Sequence, residues 1–364
     1  MPRSAADLPG RRVVVTAFTL LVVVLPALVC GVGIDAKVTP AEVARVAAAA
    51  SDPDGESLGP TALFYTAIVD APIGDPTTEI PRARLATVLG VAVLSGVLYL
   101  VLAFVGSRAL GILACGFFAC APSVADATLR PEVPAAVFGM LALLVLAGLP
   151  TQLRHRRRRS LFGNVAVVLG SAICSGAALG LSIASLPGYA AYLLFPGGCA
   201  MLAVVFALVR FVGFMRRQLP ALGPFWGFTR RTAPWLACAV AALACSFWLL
   251  DRVANPEPPT ITGHGIWPDS PWLAVPLGVC VAIGAVVWSV RVGLRLGRSR
   301  RVEPDTVLFV FVATVWIWRV KLPTGADALP TAPAFAIPAA IGARAMLEQL
   351  VGRLRATSRR GFAR

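Results

Sequence analysis

The chain is divided into about ten apolar runs, most close to 20 residues long. They lie at approximately 13–33, 84–105, 107–126, 132–150, 161–183, 186–209, 232–250, 272–292, 305–319 and 330–346. A helix of about 20 residues crosses a hydrocarbon core of ~30 Å. In lipid every backbone N–H and C=O must be satisfied within the protein, which leaves helices and closed barrels as the spanning structures. Runs of this length are too long for barrel strands. Only 14% of the 364 residues are charged and 57% are hydrophobic, with a mean hydropathy of +0.78. Soluble domains carry about a quarter charged residues, so this chain cannot coat its own surface and the missing coat is lipid. The expected fold class is all-α, a polytopic integral membrane helical bundle of about 10 transmembrane helices. The first run, Val13 to Gly33, follows Arg11 and Arg12 and lacks an Ala-x-Ala-like cleavage site. It reads as an uncleaved anchor.

Charge placement orients the bundle. The net charge of +15 invites a nucleic-acid reading, but the basic residues fall in short clusters between apolar runs, which excludes that partner. With the N-terminus inside, the inner gaps hold Arg108, then Arg154 with Arg156 to Arg159, then Arg210, Arg216, Arg217, Arg230 and Arg231. Arg291, Arg295, Arg298, Arg300 and Arg301 follow, and the tail carries Arg353, Arg355, Arg359, Arg360 and Arg364. The opposite gaps are acidic or nearly neutral, as the positive-inside rule requires. The expectation is a prokaryotic inner membrane protein with both termini cytoplasmic, its basic loops meeting anionic membrane lipids. One run breaks the pattern. The stretch 305–319 ends in Trp316, Trp318, Arg319 and Lys321, putting basic residues on the outer side.

The eight cysteines lie inside or at the ends of apolar stretches, and none forms a C-x-x-C pair. They read as small packing residues rather than a disulfide framework. Two histidines, His155 and His264, exclude a histidine-rich metal site. In the first half of the sixth run, Gly188, Tyr189, Tyr192, Pro196, Gly197 and Gly198 either break a helix or serve close packing. No P-loop, dinucleotide fingerprint, nucleophile elbow or long internal repeat occurs.

The connection 34–83 is the long acidic loop, with eight carboxylates against Lys37, Arg45 and Arg82. Thr39-Pro40-Ala41-Glu42 is a capping box with proline at the first helical position, so a helix is expected to Ala50, where Ser51-Asp52-Pro53 stops it. A second apolar piece, Thr61 to Val69, suits a juxtamembrane helix. Asp35 stands at the end of the first span, after Gly31 and Gly33. A carboxylate at the water–lipid boundary meets a reduced dielectric that raises its basicity, as general-base work on a hydroxyl requires. The alternative is a charge that merely marks the helix end.

The order of these parts carries a resemblance. A first span leads into Asp35, followed by juxtamembrane helices with Pro60, Phe64 and Tyr65, then Pro81-Arg82-Ala83-Arg84-Leu85 entering the second span. The third span ends in Ala121-Pro122 and continues through Asp126 to Leu129-Arg130-Pro131-Glu132 before a Leu-rich fourth span. Over residues of about 10–150 this resembles the GT-C membrane glycosyltransferases, in particular the branch of the protein O-mannosyltransferases and the lipid A aminoarabinose transferase. Those families likewise place an Arg-Leu pair at the entry to span two, a proline at the end of span three and an Arg-Pro-Glu-like element before span four.

The resemblance implies a catalytic module at 1–150, further transmembrane helices at 151–346 and a basic cytoplasmic tail at 347–364. It implies an inverting transfer of a sugar from a polyprenyl-phosphate donor to an extracytoplasmic glycan, lipid or protein. Asp35 takes the position of the catalytic base, and Arg130 that of a group binding the leaving phosphate. Asp126 and Glu132 would orient that arginine or hold a divalent metal, and His264, in the late outer loop, would approach the donor phosphate. The family often carries a second acid directly after the catalytic one, whereas Ala36 and Lys37 follow here, which weakens the metal assignment. A non-catalytic membrane protein, such as a lipid or polysaccharide transporter or an assembly subunit, is the competing class. Ion-coupled transport would place acids deep in the spans, and most acids here lie in loops.

Overall fold

The computed structural model describes residues 9–50, 61, 64, 76–155, 161–186, 190, 192–215, 223–252, 265, 267–299, 302–321 and 326–361. Among them are eleven α-helices. They are α1 (Pro9–Gly31), α2 (Pro40–Ala50), α3 (Pro76–Val105), α4 (Arg108–Ala119), α5 (Glu132–His155) and α6 (Leu161–Ser185). After them come α7 (Leu194–Met215), α8 (Gly223–Arg252), α9 (Pro271–Ser299), α10 (Pro304–Lys321) and α11 (Ala332–Gly361). Among the described residues eight helices are long and apolar enough to cross a membrane: α1, α3, α5 to α9 and α11. The protein is an all-α polytopic membrane protein.

Two expected spans take other forms. The run at 107–126 is a 12-residue helix, α4, continued by a 3₁₀ turn at Pro122–Val124 and a non-helical stretch to Arg130. Ser107 caps α4 by accepting a hydrogen bond from the Leu110 N–H, and Pro122 and Pro131 prevent a single helix from running through. Ala127, Leu129, Arg130 and Pro131 are buried, as irregular backbone at such depth must be. The run at 305–319 is the 18-residue helix α10, which carries Asp305, Arg319 and Lys321. Its mid-portion packs on α5 and α7, with Phe311 and Trp318 against Tyr192.

The chain folds back on itself. Helix α1 packs on α3 and α4, α3 on α5, α5 on α6, and α6 on α8, while α11 returns to α4 and pairs with α9. Glycines set the closest approaches. A Cβ on Gly284 of α9 would collide with the Pro338 carbonyl oxygen of α11, and one on Gly342 with the Cys280 carbonyl oxygen. Only a residue without a side chain allows that crossing, the small-residue packing expected between membrane helices. The eight cysteines are all free thiols. Of the aromatic and glycine cluster, Pro196, Gly197 and Gly198 lie within α7 and do not break it. Tyr192 there is buried against Phe311 and Trp318, a packing role, while Gly188 and Tyr189 lie outside the described residues.

Of the acidic loop, α2 forms as the capping box predicts. The second juxtamembrane piece falls outside the described residues except Thr61 and Phe64. Thr61 is buried, and the Phe64 ring meets Phe138 of α5 edge-on at 6.5 Å. The basic cluster at 156–160 is also outside the described residues.

Candidate functional site

The C-terminus of α1 does not run straight into the loop. Hydrogen bonds from the Gly33 N–H to the Cys30 carbonyl, from Ile34 to Gly31 and from Ala36 to Gly33 wind 31–36 into tight turns that hold Asp35 out, its side chain exposed. A Cβ at Gly33 would lie 2.6 Å from the Ala125 carbonyl oxygen and 3.3 Å from the Ala127 nitrogen. Glycine is needed here for that close approach, which seats the Asp35 turn directly on the segment that carries Asp126 and Arg130.

A buried ion pair locks the same turn from below. Arg84, in the second turn of α3 beyond Ile80, is fully buried. Its guanidinium donates to the backbone carbonyls of Ile34 and Ala36, the residues on either side of Asp35, and to that of Lys37. The same fork grips Glu42 with Nε to Oε1 and Nη2 to Oε2, both at 2.9 Å. Glu42 in turn accepts the Thr39 N–H at 2.9 Å and the Leu129 N–H at 3.2 Å. One carboxylate therefore closes the capping box of α2, neutralises Arg84 and ties down the residue before Arg130. Burial pushes the Glu42 carboxyl up, but the Arg84 hydrogen bond, the Thr39 and Leu129 donors and the Arg84 charge outweigh it. Glu42 is held below its ordinary value of 4.5.

Arg130 is likewise fully buried. It pairs with Asp327, in the connection between α10 and α11, and donates to the backbone carbonyls of Ser123 and Asp126. Its Nη1 stands 3.3 Å from Asp126 Oδ2. Asp126 Oδ1 accepts the Thr128 N–H at 2.9 Å, and Asp327 Oδ1 accepts the Leu329 N–H at 2.7 Å. Arg319, at the C-terminus of α10, donates to the Ala326 carbonyl at 3.1 Å. The arginine that broke the expected charge pattern thus secures the turn carrying Asp327.

The sequence-predicted residues divide accordingly. The structure brings the Asp35 turn, Asp126, Arg130 and Glu132 to one end of the bundle, with Glu132 buried in the first turn of α5. His264 lies outside the described residues. Sequence reasoning missed Glu42, Arg84, Asp327 and Arg319 as site-building groups. Glu42 left a signal as the acid of the capping box, Arg84 as the arginine of the Arg-Leu pair, and Arg319 as a charge against the expected pattern, whereas Asp327 left none. The oxygens of Asp126 are engaged by a guanidinium and a backbone N–H, and no group of three His, Cys, Asp or Glu side chains suited to a cation occurs among the described residues. This donor set does not fit the divalent metal that the sequence left open.

No protein-family model and no curated protein sequence matches the chain. Solved structures do match in fold. The apo oligosaccharyltransferase of Archaeoglobus fulgidus superposes with a TM-score of 0.56 at 13% identity, over 93% of this chain and 52% of that one. The oligosaccharyltransferase AglB of the same organism, in complex with an inhibitory peptide and a dolichol-phosphate, gives 0.52 at 13% identity over the same shares. ArnT from Cupriavidus metallidurans, bound to undecaprenyl phosphate, gives 0.49 at 17% identity, over 94% of this chain and 63% of that one. The chain spans about half the length of the oligosaccharyltransferase structures. The likeness is one of fold, shared with the archaeal oligosaccharyltransferase.

Proposed function

We propose that the protein is a GT-C glycosyltransferase that moves a sugar from a polyprenyl-phosphate donor to a hydroxyl acceptor at the outer membrane face, with Asp35 as the base. One observation carries this reading. A buried Arg84–Glu42 pair spends hydrogen bonds on the carbonyls flanking Asp35, holding an exposed carboxylate in place at considerable desolvation cost. A charge that only marked a helix end would need no such clamp. Preorganised placement of a reacting group is what catalysis requires.

In the proposed reaction the acceptor oxygen attacks the anomeric carbon while its proton passes to the Asp35 carboxylate. The bond from that carbon to the phosphate oxygen breaks, polyprenyl phosphate leaves with the electron pair, and the configuration inverts. Positive charge must meet the leaving phosphate. Arg130 supplies it from within the site by exchanging its outer partner Asp126 for a phosphate oxygen, while Asp327 continues to hold the guanidinium. The dolichol-phosphate and undecaprenyl phosphate in the neighbour structures agree with a lipid-linked donor.

The test is transfer by membranes containing wild type or Asp35→Asn at matched protein levels. It uses a panel of radiolabelled polyprenyl-phosphate sugars and total cell-envelope acceptors. Activity in wild type that falls at least about 100-fold in the variant, the scale of a lost general base, supports the reading. Transfer that survives the substitution removes Asp35 from the mechanism. No transfer by wild type across the panel would favour a transport or assembly role.

A further inference from the structure

At the bundle end opposite Asp35, the last turns of α9 carry two arginines that reach Asp305 of α10, on a face lined, among the described residues, by α9 side chains. Val287, Val290, Arg291, Leu294 and Arg295 line a hollow of about 310 Å³. The spacing places all five along one side of the helix. Val287, Val290 and Leu294 are exposed, so the lower hollow is apolar and open to lipid. Its upper rim is cationic, and the arginines there do not swing freely. Arg295 Nη1 donates to Asp305 Oδ2 at 3.0 Å, and Arg291 Nε lies 3.5 Å from the same oxygen. Asp305, buried at the start of α10, is fixed on its other oxygen by the indole N–H of Trp288 at 2.9 Å. Trp288 is itself buried, edge-on to Phe309.

From this arrangement we infer that the hollow is a binding site for one anionic phospholipid. Its phosphodiester sits on the Arg291 and Arg295 forks and an acyl chain lies over Val287, Val290 and Leu294. Two guanidiniums against one carboxylate leave a single net positive charge, matching a phosphodiester. The arginine side chains are 40% and 44% exposed, so each keeps donors accessible beyond the nitrogen turned to Asp305. Arginine favours this role because its planar fork binds phosphate oxygens bidentately. The Asp305–Trp288 brace lowers the entropy lost on binding, since the rotamers are already set. Without such a brace, exposed arginines at a helix end would snorkel as mobile charges. In sequence, Arg298, Arg300 and Arg301 add positive charge nearby and Glu303 removes some.

The experiment measures lipid retention by the full-length, detergent-purified and delipidated protein using native mass spectrometry. Phosphatidylglycerol and phosphatidylcholine serve as probes, with glycerophosphoglycerol and inorganic phosphate as chain-free controls. The wild type should retain one phosphatidylglycerol in preference to phosphatidylcholine, and neither chain-free anion should compete at equal concentration. The Arg291→Gln/Arg295→Gln variant should lose that preference, with retention falling about 10- to 30-fold for two headgroup contacts. Val290→Trp fills the hollow while leaving both arginines in place, and it should lose retention as well. Equal retention of both lipids by wild type, competition by free phosphate, or an undiminished preference in either variant that melts like wild type would each overturn the assignment.

Discussion

At the scale of single residues, the acidic loop is organised by one carboxylate with several duties. Glu42 caps α2, neutralises Arg84 and holds Leu129, so its removal should be felt at the Asp35 turn. Arg84→Met or Glu42→Gln alone leaves a buried partner unpaired, a loss of about 3–5 kcal/mol. Each should lower the melting temperature in detergent. Replacing both together by apolar residues of similar volume should cost less than the two single changes summed, which a double-mutant cycle on thermal unfolding would read directly. Transfer activity should fall in all three variants. The same carboxylate sets a pH dependence. Its value in the folded protein is lowered from 4.5, so its contribution to stability is complete above 4.5 and is lost as pH falls below that value through the depressed one. A melting series against pH should therefore show an acid limb beginning below 4.5, and that limb should flatten in Glu42→Gln.

At the scale of elements, the α9–α11 crossing depends on the absence of two side chains. Gly284→Ala would drive a methyl into the Pro338 carbonyl region and Gly342→Ala into that of Cys280. Backbone cannot give as a side-chain tip can, so the helices must part and lose contact along their length. Both substitutions should reduce the yield of folded protein and its melting temperature. Gly293→Ala and Gly352→Ala, where a new Cβ meets nothing within 4 Å, should be neutral. Helix α4 shows another element-scale compromise. It stops at Ala119, and the partly buried irregular segment that follows is tied to α1 through Cys30, to α2 through Glu42 and to the α10–α11 connection through Asp327. Stretching the helix through Pro122 would remove the carbonyls of Ser123 and Asp126 that Arg130 uses.

At the scale of the whole molecule, the proposed site belongs to both ends of the chain. Arg130 and Asp327 are 197 residues apart and meet in the interior, and Arg319 holds the turn that presents Asp327. A module confined to 1–150 would leave Arg130 without the Asp327 carboxylate. Asp327→Asn should therefore cost more stability than Asp126→Asn, because Asp327 is fully buried and Asp126 is partly open. Melting temperatures of the two variants would rank them. A comparable loss for both would mean that the outer carboxylate carries as much of the guanidinium as the inner one, against the exchange proposed for the leaving phosphate.

Composition and short-range spacing settle the solvent, the helical class and the local punctuation. Apolar runs near 20 residues require lipid, and a capping box starts α2 at Pro40. These are local properties, written in composition and short-range spacing. The sequence also singled out Asp35, Asp126, Arg130 and Glu132 through their order, and the structure places them at one end of the bundle. How those residues are held follows from packing alone. Nothing in the spacing says that Glu42 serves Arg84 across 42 positions or that Asp327 serves Arg130 across 197. A buried charge in a membrane protein must find an opposite charge or a carbonyl, but which one it finds depends on helix packing. That packing is set by close approaches such as Gly33 on Ala125 and Gly284 on Pro338. They join residues distant in the chain and leave no periodic trace in it.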